Sequence, residues 1–524
     1  MHTSLDEQWN LGRQAEAAGD MALAERHYAA LLARNDRHIP ALLRMSRFAQ
    51  AKNHYRTARQ LALQAADAAR LERSTRHLAF VTRRLLDFAE DAEVASVALS
   101  ADWADPDILR QSPALAQHLW LAGRYHDALR FLDAVAARVP AHPLLLLTRA
   151  DVLQYLGRVD EAADGYERCL RHDPNLADAH WALAKQSPGR DTQARVARIG
   201  QSMRHHPADS IERTQLDYAL FHELDAAGQT EAAWAALAHG AAGMRGRLRL
   251  DASAAHARIA IAMRDAPPDV RPPADERPPQ PCPIFILGLP RTGTTLLDRM
   301  LGNHGWVSSA GERNDFNAAV SETLDRFFGG LEHEADLQTL AHIDHRRVGH
   351  HYLQRLRRLA SATAFAIDKN PQNLFNLPLI LRALPHARIV CVTRAPMDAA
   401  FSNLKELFQG GAYPYSYDFA DLAAQVALAN RWMRFWAAHA PASVRVVEYE
   451  SLVGATDATL AALLDFIGLP AAQGLGDVTR NASPVATASS AQVRKPVHAG
   501  NVGAWRRYAQ PLEPLRQLLE GAPA

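Results

Sequence analysis

The residues with the most evident chemistry stand together in Gly288-Leu-Pro-Arg291-Thr292-Gly293-Thr294-Thr295. Gly288 and Gly293 let the backbone turn tightly and bring its N–H groups against a ligand. A helix starting just after them offers its positive end to negative charge. The spacing G-x-x-x-x-G is that of a nucleotide phosphate loop, yet Thr294 stands where an ATP or GTP loop carries the lysine that reaches a β/γ-phosphate pair. With Arg291 inside the turn instead, the loop suits a single 5′-phosphate bearing a transferable group.

The elements that must position this loop read clearly on both sides of it. Ile284 to Leu287 is a continuous apolar run of the kind buried on both faces of a parallel sheet, and Leu296, Leu297, Met300 and Leu301 recur at helical spacing between Thr294 and His304. Further strands are expected after Trp306, from Ala364 to Ile367, from Ala387 to Thr393 and from Val444. Their ends carry Gly311-Glu312, Asp368-Lys369-Asn370-Pro371, Arg394 and Tyr449, at the edge where open α/β sheets bind ligands. Pro396 opens a helix in its favoured first position, and Ser402, eight residues after Arg394, falls two turns into it. Asp418 to His439 reads as a long amphipathic helix and Thr456 to Gly468 as a capped one.

In this order the motifs resemble the sulfotransferases, whose loop reads Arg-Ser/Thr-Gly-Thr-Thr, and the likeness covers roughly residues 283–510. The end of that region, Ser489-Ser490-Ala-Gln492-Val-Arg494-Lys495-Pro496-Val, is similar to a segment of the tyrosylprotein sulfotransferases. The resemblance implies 3′-phosphoadenosine 5′-phosphosulfate (PAPS) as donor. It implies Glu312 as the base that removes the acceptor hydroxyl proton, with Lys369 and Arg291 stabilising charge on the leaving phosphate. Thr292, Gly293, Thr294 and Thr295 would hold the 5′-phosphate, Arg394 and Ser402 the 3′-phosphate, Tyr449 would frame adenine, and Ser489 and Lys495 would fold over the donor. The family often adds an arginine about one turn after the serine, where Lys405-Glu406 stands here. The implied activity is sulfation of a hydroxyl, protein tyrosine foremost, with a glycan or small-molecule hydroxyl fitting the same chemistry. Two other readings stay open: a P-loop kinase or NTPase, against which the missing lysine weighs, and a non-catalytic repeat scaffold.

The amino-terminal half is organised differently. Gly123 and Gly157, Ala128 and Ala162, and Pro140 and Pro174 are each 34 residues apart, the period of tetratricopeptide repeats, which are α-hairpins. Gly12, Gly19, Ala24 and Tyr28 fit the same template, Ala58 follows Ala24 by 34, and Gly228, Ala232 and Ala233 suggest a late copy; Leu71 to Leu109 fits poorly. Stacked hairpins make a solenoid that docks peptides or proteins, or one that only buttresses a neighbouring domain. Residues 266–283 hold prolines at a density that forbids helix and favours an extended connector. The expected layout is an all-α tetratricopeptide solenoid over 1–265, that linker, and a P-loop-like α/β domain with a parallel sheet over 284–524.

Bulk properties narrow the partners. With 48% hydrophobic and 22% charged residues the 524-residue composition is that of a globular chain, and a formal net charge of +1 gives no global pull toward nucleic acid or membrane. Cys169, Cys282 and Cys391 form no C-x-x-C pair, which points to a reducing compartment without a disulfide or zinc scaffold. No apolar run approaches a bilayer span, and the start lacks a basic segment leading into an apolar one, so a cytoplasmic location is expected. His345, His350 and His351 lack an accompanying carboxylate or thiolate pattern, and no metal is expected. Oligomeric state is not legible in the sequence.

Overall fold

The structure, a computed structural model, describes residues 4–521 apart from 249, 267–276, 361, 486, 488, 489 and 491. It forms two compact units, one of residues 1–152 with 317–328 and one of 153–316 with 329–524. Most of the stretch expected to be a linker, including 267–276, falls outside the described residues.

The first unit consists mainly of helical hairpins: Leu5–Ala17 with Met21–Leu32, Ile39–Ala51 with Tyr55–Leu71, Leu78–Leu86 with Asp91–Ser100, and Pro106–Leu121 with Tyr125–Ala136. The small residues of the repeat pattern set how closely these helices approach. A Cβ on Gly12 would sit 2.5 Å from the Tyr28 ring, and Ala24, Ala58 and Ala128 are fully buried. The turns are glycine turns where the pattern places them, with φ of +81° at Gly19 and +75° at Gly123, a backbone region that side chains disfavour. The poorly matching stretch after Leu71 is helical all the same, held by buried Leu78, Val81, Leu85, Val94 and Val97. Residues 317–328 join this unit through Phe327, whose ring meets Tyr55 at 5.1 Å.

The second unit is built on a parallel sheet of β1 (Cys282–Leu287), β2 (Val307–Ser309), β3 (Phe365–Asp368), β4 (Arg388–Thr393) and β5 (Val444–Glu448), in the order β2-β3-β1-β4-β5. All six residues of β1 are buried, as a central strand covered on both faces requires. Ile284 and Ile286 pack into one core with Leu297, Met300, Leu460 and Leu464. Phe285, pointing the other way, meets Tyr352 at 5.4 Å and Phe316 at 6.2 Å. The order places β1 and β4 side by side, with Ile286 opposite Val390 and Leu287 opposite Cys391, so the turns after these two strands open at one edge of the sheet.

The later helices, Val159–His172 through Ala252–Arg264, belong to the same compact unit as this sheet. The buried Tyr218 hydroxyl donates to Leu404 O at 3.0 Å, Lys185 pairs with Glu406, and Asp225 accepts from the Tyr508 hydroxyl at 2.7 Å.

Candidate functional site

Sequence places the phosphate loop after β1, and the coordinates show how it is held. A Cβ on Gly288 would lie 2.6 Å from Val392 O, so the loop can pass β4 only with glycine there. Arg291 is left-handed at φ +69°, a strained setting for a side-chain-bearing residue. Gly293, at φ +106°, presses against Tyr449, whose Cδ2 would be 2.6 Å from an added Cβ. Gly293→Ala is accordingly expected to break anion binding at the loop while leaving most of the helical signal intact, as circular dichroism and ligand titration would show.

The helix Thr294–Leu301 starts at this loop, its first-turn N–H groups lack helical partners, and Thr294, Thr295 and Leu296 line the cleft. Arg291, Gly293, Thr294, Thr295, Arg394, Ser402, Tyr449 and Lys495 all line one cleft, together with Lys405 and Gln492. Thr292 differs: its buried hydroxyl donates to Leu289 O at 2.8 Å, so it braces the loop from within. Ser489 lies outside the described residues. The carboxy-terminal segment covers the loop, with Arg291 Nη2 donating to Gln492 Oε1 at 2.9 Å.

Arg394 emerges from β4 as expected and is fixed by Nη1 to Arg291 O at 3.1 Å and Nη2 to Asn501 O at 2.6 Å. Its guanidinium lies 4.6 Å over the Tyr449 ring, a cation–π contact. Tyr449, expected to stack on a base, is thus packed between Gly293 and Arg394 and buried to 7% exposure. Burial also lowers the Arg394 pKa, with Arg291 acting in the same direction.

The second cluster sits at the ends of β2 and β3. Lys369 N–H donates to Gly311 O at 3.0 Å, which brings the two strand-end turns together, and Lys369 Nζ meets Glu312 Oε1 at 2.5 Å. The lysine side chain is 1% exposed and the glutamate 38%, so a buried cation is tied to a carboxylate that solvent and an acceptor can reach. Asn370 locks the turn by donating to Arg313 O at 2.8 Å and accepting from Gln372 N–H at 3.1 Å. Beneath it, burial and then Asp315 push the Asp368 carboxyl up to about 7, and the Tyr352 hydroxyl donates to it at 3.0 Å.

Several residues of the site were not singled out by sequence. Asp298, on the helix after the loop, has a carboxyl raised by burial and drawn down by Lys369; its Oδ1 is buried without a hydrogen-bond partner. Lys405 lines the anion cleft at the position where the resembling family often has a further arginine, and burial, then Arg291, lowers its ammonium to about 8. Glu406 ties Lys185, from the helix Ala177–Gln186, to the loop, lying 4.0 Å from Arg291 Nη1. Lys405 had a local signal, one turn beyond Ser402; Lys185 and Glu406, 221 residues apart, had none.

Comparison with known proteins agrees with this geometry: the model of the sulfotransferase family matches residues 283–473. That stretch is similar to the sulfotransferase family. The chain is 29% identical over 249 residues to an uncharacterized protein of Aquifex aeolicus (strain VF5), a match of 46% of this chain and 33% of that protein. The chain thus spans about a third of that relative's length. Similar solved structures include the sulfotransferase domain of the Synechococcus PCC 7002 olefin synthase, at 20% identity over 47% of this chain and 96% of that one with a TM-score of 0.34. Another is sulfotransferase STF1 of Mycobacterium tuberculosis H37Rv, at 14% identity over 64% of this chain and 99% of that one with a TM-score of 0.28. No helix among the described residues of the chain is long and apolar enough to cross a membrane.

Proposed function

We propose that the sulfotransferase domain transfers a sulfuryl group from PAPS to an acceptor hydroxyl, with protein tyrosine as the acceptor. The observation that carries the donor reading is the single cleft that gathers the glycine loop, Arg394, Ser402 and Lys405. Its residues fit a nucleotide phosphorylated at two positions: the loop and first helical turn offer N–H donors for one phosphate, while Arg394 and Ser402 add side-chain donors in the same cleft for another. Arg394 Nε is buried without a hydrogen-bond partner, as a guanidinium with a donor left for a ligand would be. The donor, when bound, supplies an activated sulfuryl group whose departure leaves charge on a phosphate.

The chain's own residues divide the remaining work. Glu312 takes the acceptor hydroxyl proton, being the exposed partner of the pair. Lys369, held by Glu312 and the Gly311 carbonyl, meets the charge that develops on the leaving oxygen. Arg291 and the N–H groups before Thr295 hold the phosphate that departs.

Lys405 gives the donor site a pH signature. The free ammonium titrates near 8, and a bound phosphate dianion favours the charged form, so affinity is highest below 8 and falls as pH rises through that value. Between pH 7 and 9 the dissociation constant for 3′-phosphoadenosine 5′-phosphate should rise about tenfold, with proton uptake on binding at the upper end, and Lys405→Met should flatten this dependence.

The tyrosine assignment rests on the tail similar to tyrosylprotein sulfotransferases and on Glu312 at the Gly-Glu position. The test is mass spectrometry after incubation with PAPS and matched acceptors. Sulfate on tyrosine peptides supports the assignment; sulfate only on glycans or small alcohols overturns it while leaving the donor reading in place.

A further inference from the structure

The first helices of three successive hairpins in the amino-terminal unit enclose a groove of about 410 Å³, within the range of sites that take a ligand's side chains. Trp9 comes from the helix Leu5–Ala17, Leu43 and Arg47 from Ile39–Ala51, and Phe80, Arg83 and Asp87 from Leu78–Leu86 and its end. Trp9, Pro40, Leu43 and Phe80 supply its apolar part, and Phe80 leaves 61% of its surface in solvent.

The charge of the groove is one-sided. Arg84 is spent internally, donating to Ser46 Oγ at 2.8 Å and to Asp87 Oδ2 at 2.9 Å, so the one carboxylate of the lining is already matched. Arg44 is held by Glu16 at 2.8 Å. Arg47 and Arg83 are exposed and make no ion pair or hydrogen bond among the described residues. The neighbouring histidines feel the same field: His77 is held below its usual range by burial and then by Arg76, and His118 is pushed down to about 4 by burial and then by Arg83.

We infer that this groove binds an acidic peptide segment of a partner protein, with an apolar side chain seated against Leu43 and Phe80 and carboxylates on Arg47 and Arg83. Guanidinium groups match carboxylates bidentately, and an exposed aromatic beside them supplies the anchor that interfaces favour. A single-stranded nucleic acid fits less well. It needs a cationic track for successive phosphates, whereas the groove offers only two unengaged cations, Arg47 and Arg83, among the described residues of its lining. The inference does not depend on the chemistry of the sulfotransferase domain.

The experiment is selection of random 12-residue peptides displayed on phage against the full chain, followed by anisotropy titration of a labelled selected peptide. Enriched sequences should carry net negative charge and an aromatic or aliphatic residue, and their affinity should fall with added salt. The double substitution Arg47→Glu with Arg83→Glu should weaken binding at least ~10-fold, and Phe80→Ser by a similar factor. The milder Arg47→Gln with Arg83→Gln should give an intermediate loss and keeps the test available if charge reversal unfolds the array. No enrichment, enrichment without acidic bias, unchanged affinity for the substituted chains, or tighter capture of a single-stranded oligonucleotide would each overturn the proposal.

Discussion

Glu312→Gln is expected to lower turnover by about 10³-fold while the affinity for 3′-phosphoadenosine 5′-phosphate changes less than about threefold. The amide keeps the shape and a hydrogen-bond acceptor for Lys369 but cannot take a proton. Because Glu312 is 38% exposed and stands outside the anion cleft lining, its replacement should leave the loop, Arg394 and Ser402 undisturbed. Turnover and nucleotide binding measured on one preparation check the point; loss of both together would place Glu312 among the structural residues.

Lys369→Met should cost about 10²–10³ in turnover, the usual effect of removing one preorganised donor from a site of developing charge. The side chain is 1% exposed and bonded to Glu312 at 2.5 Å, so methionine fills the space without supplying the cation. A thermal melt separates the roles. If Lys369 serves catalysis, the midpoint should move little because Glu312, left without its partner, is open to water. A large fall in the midpoint with unchanged turnover per folded molecule would assign it to stability instead.

The sheet and loop were legible for specific reasons. The run Ile284 to Leu287 is of the kind buried on both faces of a parallel sheet, and Gly288 and Gly293 suit a tight turn that passes close to its neighbours; the structure has both, down to the 2.6 Å approaches to Val392 O and Tyr449. Family motifs at two strand ends implied Glu312 as base and Lys369 as charge stabiliser; that their side chains pair emerges only once the parallel sheet brings those ends together. Other features carry no periodic signal. Thr292 turns its hydroxyl to the loop's own carbonyl, and the Tyr449 ring lies under Arg394, because side-chain direction at a turn depends on packing that residue spacing does not encode. The repeat pattern also runs unbroken through Gly123 and Gly157, yet the compact units divide between Val152 and Leu153. That division follows from long-range contacts such as Tyr218 with Leu404 and Lys185 with Glu406, formed by residues whose types alone do not announce a partner.

The most direct test of the donor site is calorimetric titration of the full chain with 3′-phosphoadenosine 5′-phosphate, 5′-AMP and ATP, each with and without Mg²⁺. The 3′-phosphate should tighten binding over 5′-AMP by about 100-fold without any need for Mg²⁺, and Arg394→Ala should erase that margin. Equal affinity for 3′-phosphoadenosine 5′-phosphate and 5′-AMP, or tighter Mg²⁺-dependent binding of ATP, would contradict it.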